Sequence, residues 1–243
     1  MAIYATTDLH GQLDLYNKMK AILKPKDKVY FLGDAGDRGP DGWKLIKTIY
    51  ADPQFIYIKG NHEDMLANAI RAYAKDPEHK SKAYQLLKDN GGEKTFRDWW
   101  MDGEDVRWAP VLENLPMHLE YQNKNGQYVL MSHAGYTPWG APGNDRAILI
   151  PSGFDLIWNR DHFYDTWNEE CLQNCIVVHG HTPIPSLAHR LCDKPQNAKF
   201  GAYWYDSGHK VCIDNLSAGS GVACLLNLDT FEQTLLMGDW REE

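Results

Sequence analysis

The chain has 243 residues, 43% of them hydrophobic, with nine Trp and thirteen Tyr, which is ample for a packed interior and the opposite of a disorder composition. One large domain over residues 1–243 is the expectation, since many α/β folds reach this length around one core. A formal charge of −8 argues against a protein that grips nucleic acid through its phosphates, which needs a surplus of Lys and Arg, but leaves room for a local basic pocket.

The first predicted strand lies in AIYATTDLHG, residues 2–11, and the second in KVYFLGDAGDRG, residues 28–39. FIYIKGNHED from residue 55, QYVLMSHAGY from 127 and CIVVHGHTP from 175 repeat the pattern, each an apolar, β-branched or aromatic run bounded by glycine and running into Asp, Asn or His. Helical spacing separates the first three: Leu13, Tyr16, Met19 or Lys20, and Leu23, then Trp43, Ile46, Ile49 and Tyr50. Alternating strands and helices predict a layered α/β domain. Residues 64–120 form a charged, mostly helical stretch that reads as a cap or side lobe. Residues 211–236 return to strand patterns, with a turn at Asp229 and Thr230, and predict a closing antiparallel meander.

No apolar run approaches the roughly 18–20 residues that span a bilayer, and MAIYATTDLHG lacks a charged start with a cleavable apolar core. A cytoplasmic protein without a membrane partner is therefore expected. The five cysteines, Cys171, Cys175, Cys192, Cys212 and Cys224, are odd in number and form no CxxC pair, so reduced, buried apolar thiols are expected. A shared helix face for Cys171 and Cys175, with metal binding, is the alternative.

In α/β sheets ligands bind beyond the carboxyl ends of strands, so the five polar termini can converge although they span residues 8–181. Asp8, His10, Asp34, Asn61, His133 and His181 then offer carboxylate, imidazole and amide ligands without a thiolate, a set suited to manganese, iron or zinc. Six ligands exceed the need of one catalytic ion with open positions. Two ions roughly 3.5–4 Å apart, bridged by one carboxylate, would use them all and hold a hydroxide between them, and a phosphoryl group is the natural electrophile. Each motif alone has a bland reading: DLH as a turn or cap, GDAGDRG as an Asp-Gly loop, the histidines as satisfied core residues. Five coincidences at five strand ends favour the site.

The ordered set DLHG, GDAGDRG, GNHE, SHAG and HGHT resembles the PPP family of metallophosphoesterases, particularly the short phage and bacterial phosphoprotein phosphatases. NGGEKT (90–95), LENLP (112–116) and IWNRD (157–161) fit the same branch. The resemblance implies a central β-sandwich flanked by helices, with a helical insertion. It implies two divalent ions, manganese first and iron or zinc otherwise: Asp8 and His10 on one, Asp34 bridging, and Asn61, His133 and His181 on the other. It also implies His62 as proton donor oriented by Asp37, Arg38 and Arg160 as phosphate grips, and Glu63 as an orienting acid. If the chain is phage-encoded, the compartment is the host cytoplasm.

The substrate implied is a phosphorylated protein, at serine or threonine and with tyrosine as a further option, or a small phosphoester. The alternatives are a symmetrical dinucleoside polyphosphate hydrolase and a catalytically silent phospho-binding module. GNHE, where nucleotide hydrolases of the superfamily show GNHD, favours the phosphoprotein class, and a module has no need of His62, Asp37 and Arg38. Two positions depart from the family pattern: Thr7 stands where glycine is usual, with little harm expected. Lys59 replaces Arg before GNHE, so a phosphate contact there should be weak or absent.

Overall fold

The computed structural model describes residues 1–77, 81–136, 153–164, 174–192 and 200–239. Strand β1 (Ile3–Thr6) is followed by α1 (Leu13–Ile22), β2 (Lys28–Phe31), α2 (Gly42–Ala51) and β3 (Phe55–Tyr57). Four helices come next, α3 (Asn61–Lys75), α4 (Lys82–Asp89), α5 (Glu93–Met101) and α6 (Trp108–Glu113), and then the hairpin β4 (His118–Gln122) and β5 (Tyr128–Ser132). The described remainder is α7 (Gly153–Trp158), β6 (Cys175–His179), α8 (Ile184–Arg190), β7 (Tyr203–Tyr205), β8 (Lys210–Cys212), α9 (Ser217–Ser220), β9 (Val222–Asn227) and β10 (Gln233–Met237). All five predicted strands and both predicted helices form.

Two five-stranded mixed sheets result, ordered β10-β9-β1-β2-β3 and β4-β5-β6-β8-β7. Each has three parallel strands, β1-β2-β3 in one and β5-β6-β8 in the other, with antiparallel neighbours outside them. The sheets face each other across Ile3, Ala5, Val129, Met131, Ile176, Val178 and Leu226. The alternate residues point outward: Leu130 and Val177 meet Leu156 and Ile157 of α7, and Val29 and Phe31 join Leu15, Met19 and Ile46 of α1 and α2. The period of two explains why the parallel strands read as continuous apolar runs, since both their faces are covered. This is an α/β sandwich flanked by helices. Leu87, Trp99 and Leu112 of α4, α5 and α6 share the buried cluster of Phe31 and Ile46.

Four expectations need correction. The segment 211–236 is not one meander: β9 and β10 pair antiparallel, but β8 joins the other sheet, parallel to β6. Leu216, with φ of 56°, and Gly221, with φ of 67°, turn the chain between the sheets. The helical stretch ends at Glu113, and His118–Gln122 is a strand. Cys175 opens β6 and cannot share a helix face with Cys171, which lies outside the described residues. Cys175, Cys212 and Cys224 are buried thiols as expected, whereas Cys192 is exposed.

Candidate metal centre

The parallel strands of both sheets deliver their polar ends to one place. Asp8 and His10 follow β1, Asp34 follows β2, Asn61 and His62 open α3 just after β3, His133 follows β5 and His181 follows β6. All seven are 6% exposed or less. The turns that aim them are tight, and Asp8, His10, Asp34, Asp37, Arg38 and His181 all have positive φ, between 42° and 68°. Left-handed backbone in non-glycine residues costs energy and persists where surrounding structure dictates it. The glycines of the motifs serve close approach: a Cβ on Gly60 would lie 2.2 Å from Asp34 Oδ1, and one on Gly180 would lie 2.1 Å from Asp8 Oδ2.

Asp34 sits at the middle. Its Oδ2 is 3.7 Å from His10 Nε2, 3.7 Å from His62 Nε2 and 3.3 Å from His133 Nε2, and its Oδ1 accepts the His62 backbone N–H at the start of α3. Two groups with metal-ligand spacing share it: His10, Asp34 and His62, and Asp34, His133 and His181. Asp8 lies beside the first, its Oδ1 3.8 Å from His10 Nε2.

Hydrogen bonding behind the rings fixes which nitrogens face inward. His10 Nδ1 donates to the Gly36 carbonyl and His133 Nδ1 to that of Leu32, so each ring turns its Nε2 to the centre. There, His133 Nε2 and His181 Nδ1 each lie 2.9 Å from Asn61 Oδ1 and 3.2 Å from one another. An amide oxygen and two imidazole nitrogens converge here with Asp34 alongside, a donor set that an imidazole N–H or a bound cation can bridge. The carboxyl of Asp34 is pushed up by burial, but the surrounding imidazoles win and hold it well below the usual range. Burial lowers His133, and the carboxylates of Asp34 and Asp8 lift it to about 10. The carboxylates thus favour a positive charge beside them, and the oxygen and nitrogen donors of the pocket fit divalent ions.

The remaining sequence-derived residues lie around this centre. His62 Nδ1 donates to Asp37 Oδ2 at 2.6 Å. Burial lowers the His62 pKa, and Asp34 and Asp37 more than offset it, so the net shift is upward. Arg38 points Nη1 at His10 Nε2 and Nη2 at His62 Nε2, at 2.8 and 3.0 Å. Arg160 is half-buried and donates from Nε to Thr182 Oγ1, one residue beyond His181. Glu63 accepts four hydrogen bonds, from the backbone of Asp34, Ala35 and Gly60 and from the Tyr57 hydroxyl. Thr7 donates to Asp8 Oδ2 at 2.6 Å, a bond that glycine could not make. The Lys59 ammonium donates to the Glu113 carbonyl and lies 3.7 Å from Asp64.

Reading strand ends from sequence missed two contributions. NGGEKT buttresses the GDRG loop: Arg38 N donates to the Gly91 carbonyl and Asp37 N to Thr95 Oγ1. Asp214, just after β8, is a sixth polar strand end, 2% exposed, and burial and then the nearby Asp8 carboxylate push its pKa well up. The signal was present in VCIDN, an apolar run ending in Asp and Asn, but without the glycine that bounds the other five.

Residues 1–212 match the family described as calcineurin-like phosphoesterase, and the chain belongs to that family. A symmetrical bis(5'-nucleosyl)-tetraphosphatase of Buchnera aphidicola is 30% identical over 149 residues, 57% of this chain and 46% of that protein, so the match spans less than half of the relative's length. Serine/threonine-protein phosphatase 2 of Escherichia coli strain K12 is 27% identical over 70% of this chain and 73% of its own. Among solved structures, a putative diadenosine tetraphosphatase superposes with a TM-score of 0.59 over 99% of this chain and 94% of the other, at 14% identity, a likeness of fold. Family membership implies divalent ions, and no helix among the described residues is long and apolar enough to cross a membrane.

Proposed function

We propose that the chain is a dinuclear-metal phosphatase that hydrolyses phosphomonoesters, with phosphoserine or phosphothreonine of proteins as its first substrate class, in the manner of the short bacterial and phage phosphoprotein phosphatases. The observation that carries this reading is the Asp34 carboxylate shared between two ligand groups. Asp8 and His10 would hold one ion, Asn61, His133 and His181 the other, and Asp34 would be shared by both. Manganese is the first candidate. When bound, the two ions supply a water activated for attack and neutralise charge on the phosphoryl oxygens. The protein's own groups do the rest. Arg38 and Arg160 bind phosphate oxygens, the guanidinium fork matching their geometry. His62, held protonated by Asp37, gives its Nε2 proton to the departing oxygen. Glu63 fixes the backbone of the Asp34 loop.

A second substrate class, dinucleoside polyphosphates, is favoured by the Buchnera relative's name and has the same metal requirement. Manganese-dependent release of phosphate from p-nitrophenyl phosphate tests the enzyme against a silent phospho-binding module, for which no turnover is expected. Comparing a phosphoserine peptide with diadenosine tetraphosphate then ranks the two classes.

A further inference from the structure

One aromatic pair beside the centre plays no part in the chemistry above. Phe154 and Trp158 stand one turn apart on α7, stacked with ring centroids 6.3 Å apart and planes 18° from parallel. The helix is anchored by buried Leu156 and Ile157, and the Leu156 carbonyl accepts the Ala134 N–H beside His133. Trp158 meets the His181 ring edge-on at 6.2 Å, so the pair runs from a candidate metal ligand out to solvent. Phe154 is 68% exposed. A single exposed aromatic is ordinary, but a rigid aromatic shelf continuous with a phosphoryl-binding centre is a ready stacking surface.

Charge completes the arrangement. Burial, and then the like charges of Arg190 and Arg38, hold the Arg160 pKa below its ordinary value. Arg160 therefore lies in the field of two further guanidiniums, at a centre inside a chain of net charge −8. Several cations in one field suit a chain of phosphates better than a single phosphoryl group, because a polyanion relieves the repulsion among them. A ring on Phe154 would be separated from a phosphoryl group at His181 by the breadth of Trp158. That spacing fits a planar group several bonds from the reacting phosphorus and not the ring of a phosphotyrosine.

We infer that Phe154 and Trp158 form a nucleobase-stacking shelf, which makes them the residues that select dinucleoside polyphosphates, the second substrate class proposed above, at this centre. The inference rests on the reading that the centre hydrolyses phosphoesters. The test compares kcat/KM for diadenosine tetraphosphate, p-nitrophenyl phosphate and a phosphoserine peptide with an aromatic neighbour, in wild type, Phe154→Ala and Phe154→Trp. In Phe154→Ala the ratio of kcat/KM for the dinucleotide to that for p-nitrophenyl phosphate should fall at least about fivefold through KM, the low end of base-on-aromatic stacking, and Phe154→Trp should restore it. An unchanged ratio, an unrestored one, or a loss confined to the peptide overturns the shelf. Wild type that hydrolyses p-nitrophenyl phosphate but not the dinucleotide also overturns it, leaving the phosphatase reading intact. If wild type hydrolyses nothing, that reading fails, and calorimetric binding of a methylene-bridged dinucleotide still judges the shelf. At least fivefold weaker binding to Phe154→Ala supports it, and equal affinity overturns it.

Discussion

Asp34 carries the heaviest demand on any single side chain: a carboxylate 2% exposed that faces three imidazoles. Asn keeps its size but removes the charge that both ligand groups share, so Asp34→Asn should lose metal and most activity. Asp14→Asn is the control, since Asp14 lies in the first turn of α1 and accepts the Asp239 N–H. Equal losses in the two variants would remove Asp34 from the site. His62 raises a different question, because its Nε2 has ligand spacing with His10 and Asp34 while its Nδ1 is committed to Asp37. As a proton donor, His62→Ala keeps both ions and loses roughly 10²- to 10⁴-fold in kcat on a phosphoserine peptide, but less on p-nitrophenyl phosphate, whose acidic phenol leaves without help. Equal losses with metal retained would refute the donor role, and loss of an ion would make His62 a ligand.

Among the elements, the strand-to-helix turns do the positioning, and their stiffness comes from hydrogen bonds that the motifs alone do not announce. Glu63 at the start of α3 satisfies four donors of neighbouring loops. Glutamine offers one acceptor oxygen and points an amide at the remaining N–H groups. Glu63→Gln should therefore cost about 2 kcal/mol or more, roughly 4–8 °C in Tm; an unchanged melting curve would deny the buttress. Far from the centre, the β9–β10 turn is tied to the β4–β5 turn through Asp229, which accepts from the Tyr121 hydroxyl and from the backbone and ammonium of Lys124. Burial raises the Asp229 pKa, but these donors outweigh it and leave it lowered. A lowered folded value means that this stabilisation is present above the unfolded value of about 4 and is lost as pH falls through the folded one. Asp229→Asn should cost about 1–2 kcal/mol at pH 7, with the difference from wild type shrinking at acid pH; a difference that grows there would contradict the assignment. The exposed Lys124 ammonium contributes little of it.

For the whole molecule, the sandwich turns sequence distance into proximity. The five strands were legible because parallel strands buried on both faces read as apolar runs, and their ends because polar groups beside a core need partners. Asp8, His10, Asp34, Asn61, His133 and His181 could be grouped on that ground. What stayed hidden had no local pattern. The crossing of β8 into the second sheet depends on the left-handed turn at Leu216, β4 carries too few apolar residues to stand out, and the aromatic shelf exists only once α7 lies against His181. The account requires these pieces to meet around two ions, because two groups with ligand spacing share the Asp34 carboxylate. The most direct test is to strip the protein with chelator, titrate manganese back, and follow phosphate release from p-nitrophenyl phosphate against ions bound per chain. The account predicts no turnover in the stripped protein and full recovery at two ions; undiminished turnover after exhaustive chelation, or full recovery at one ion, would contradict it.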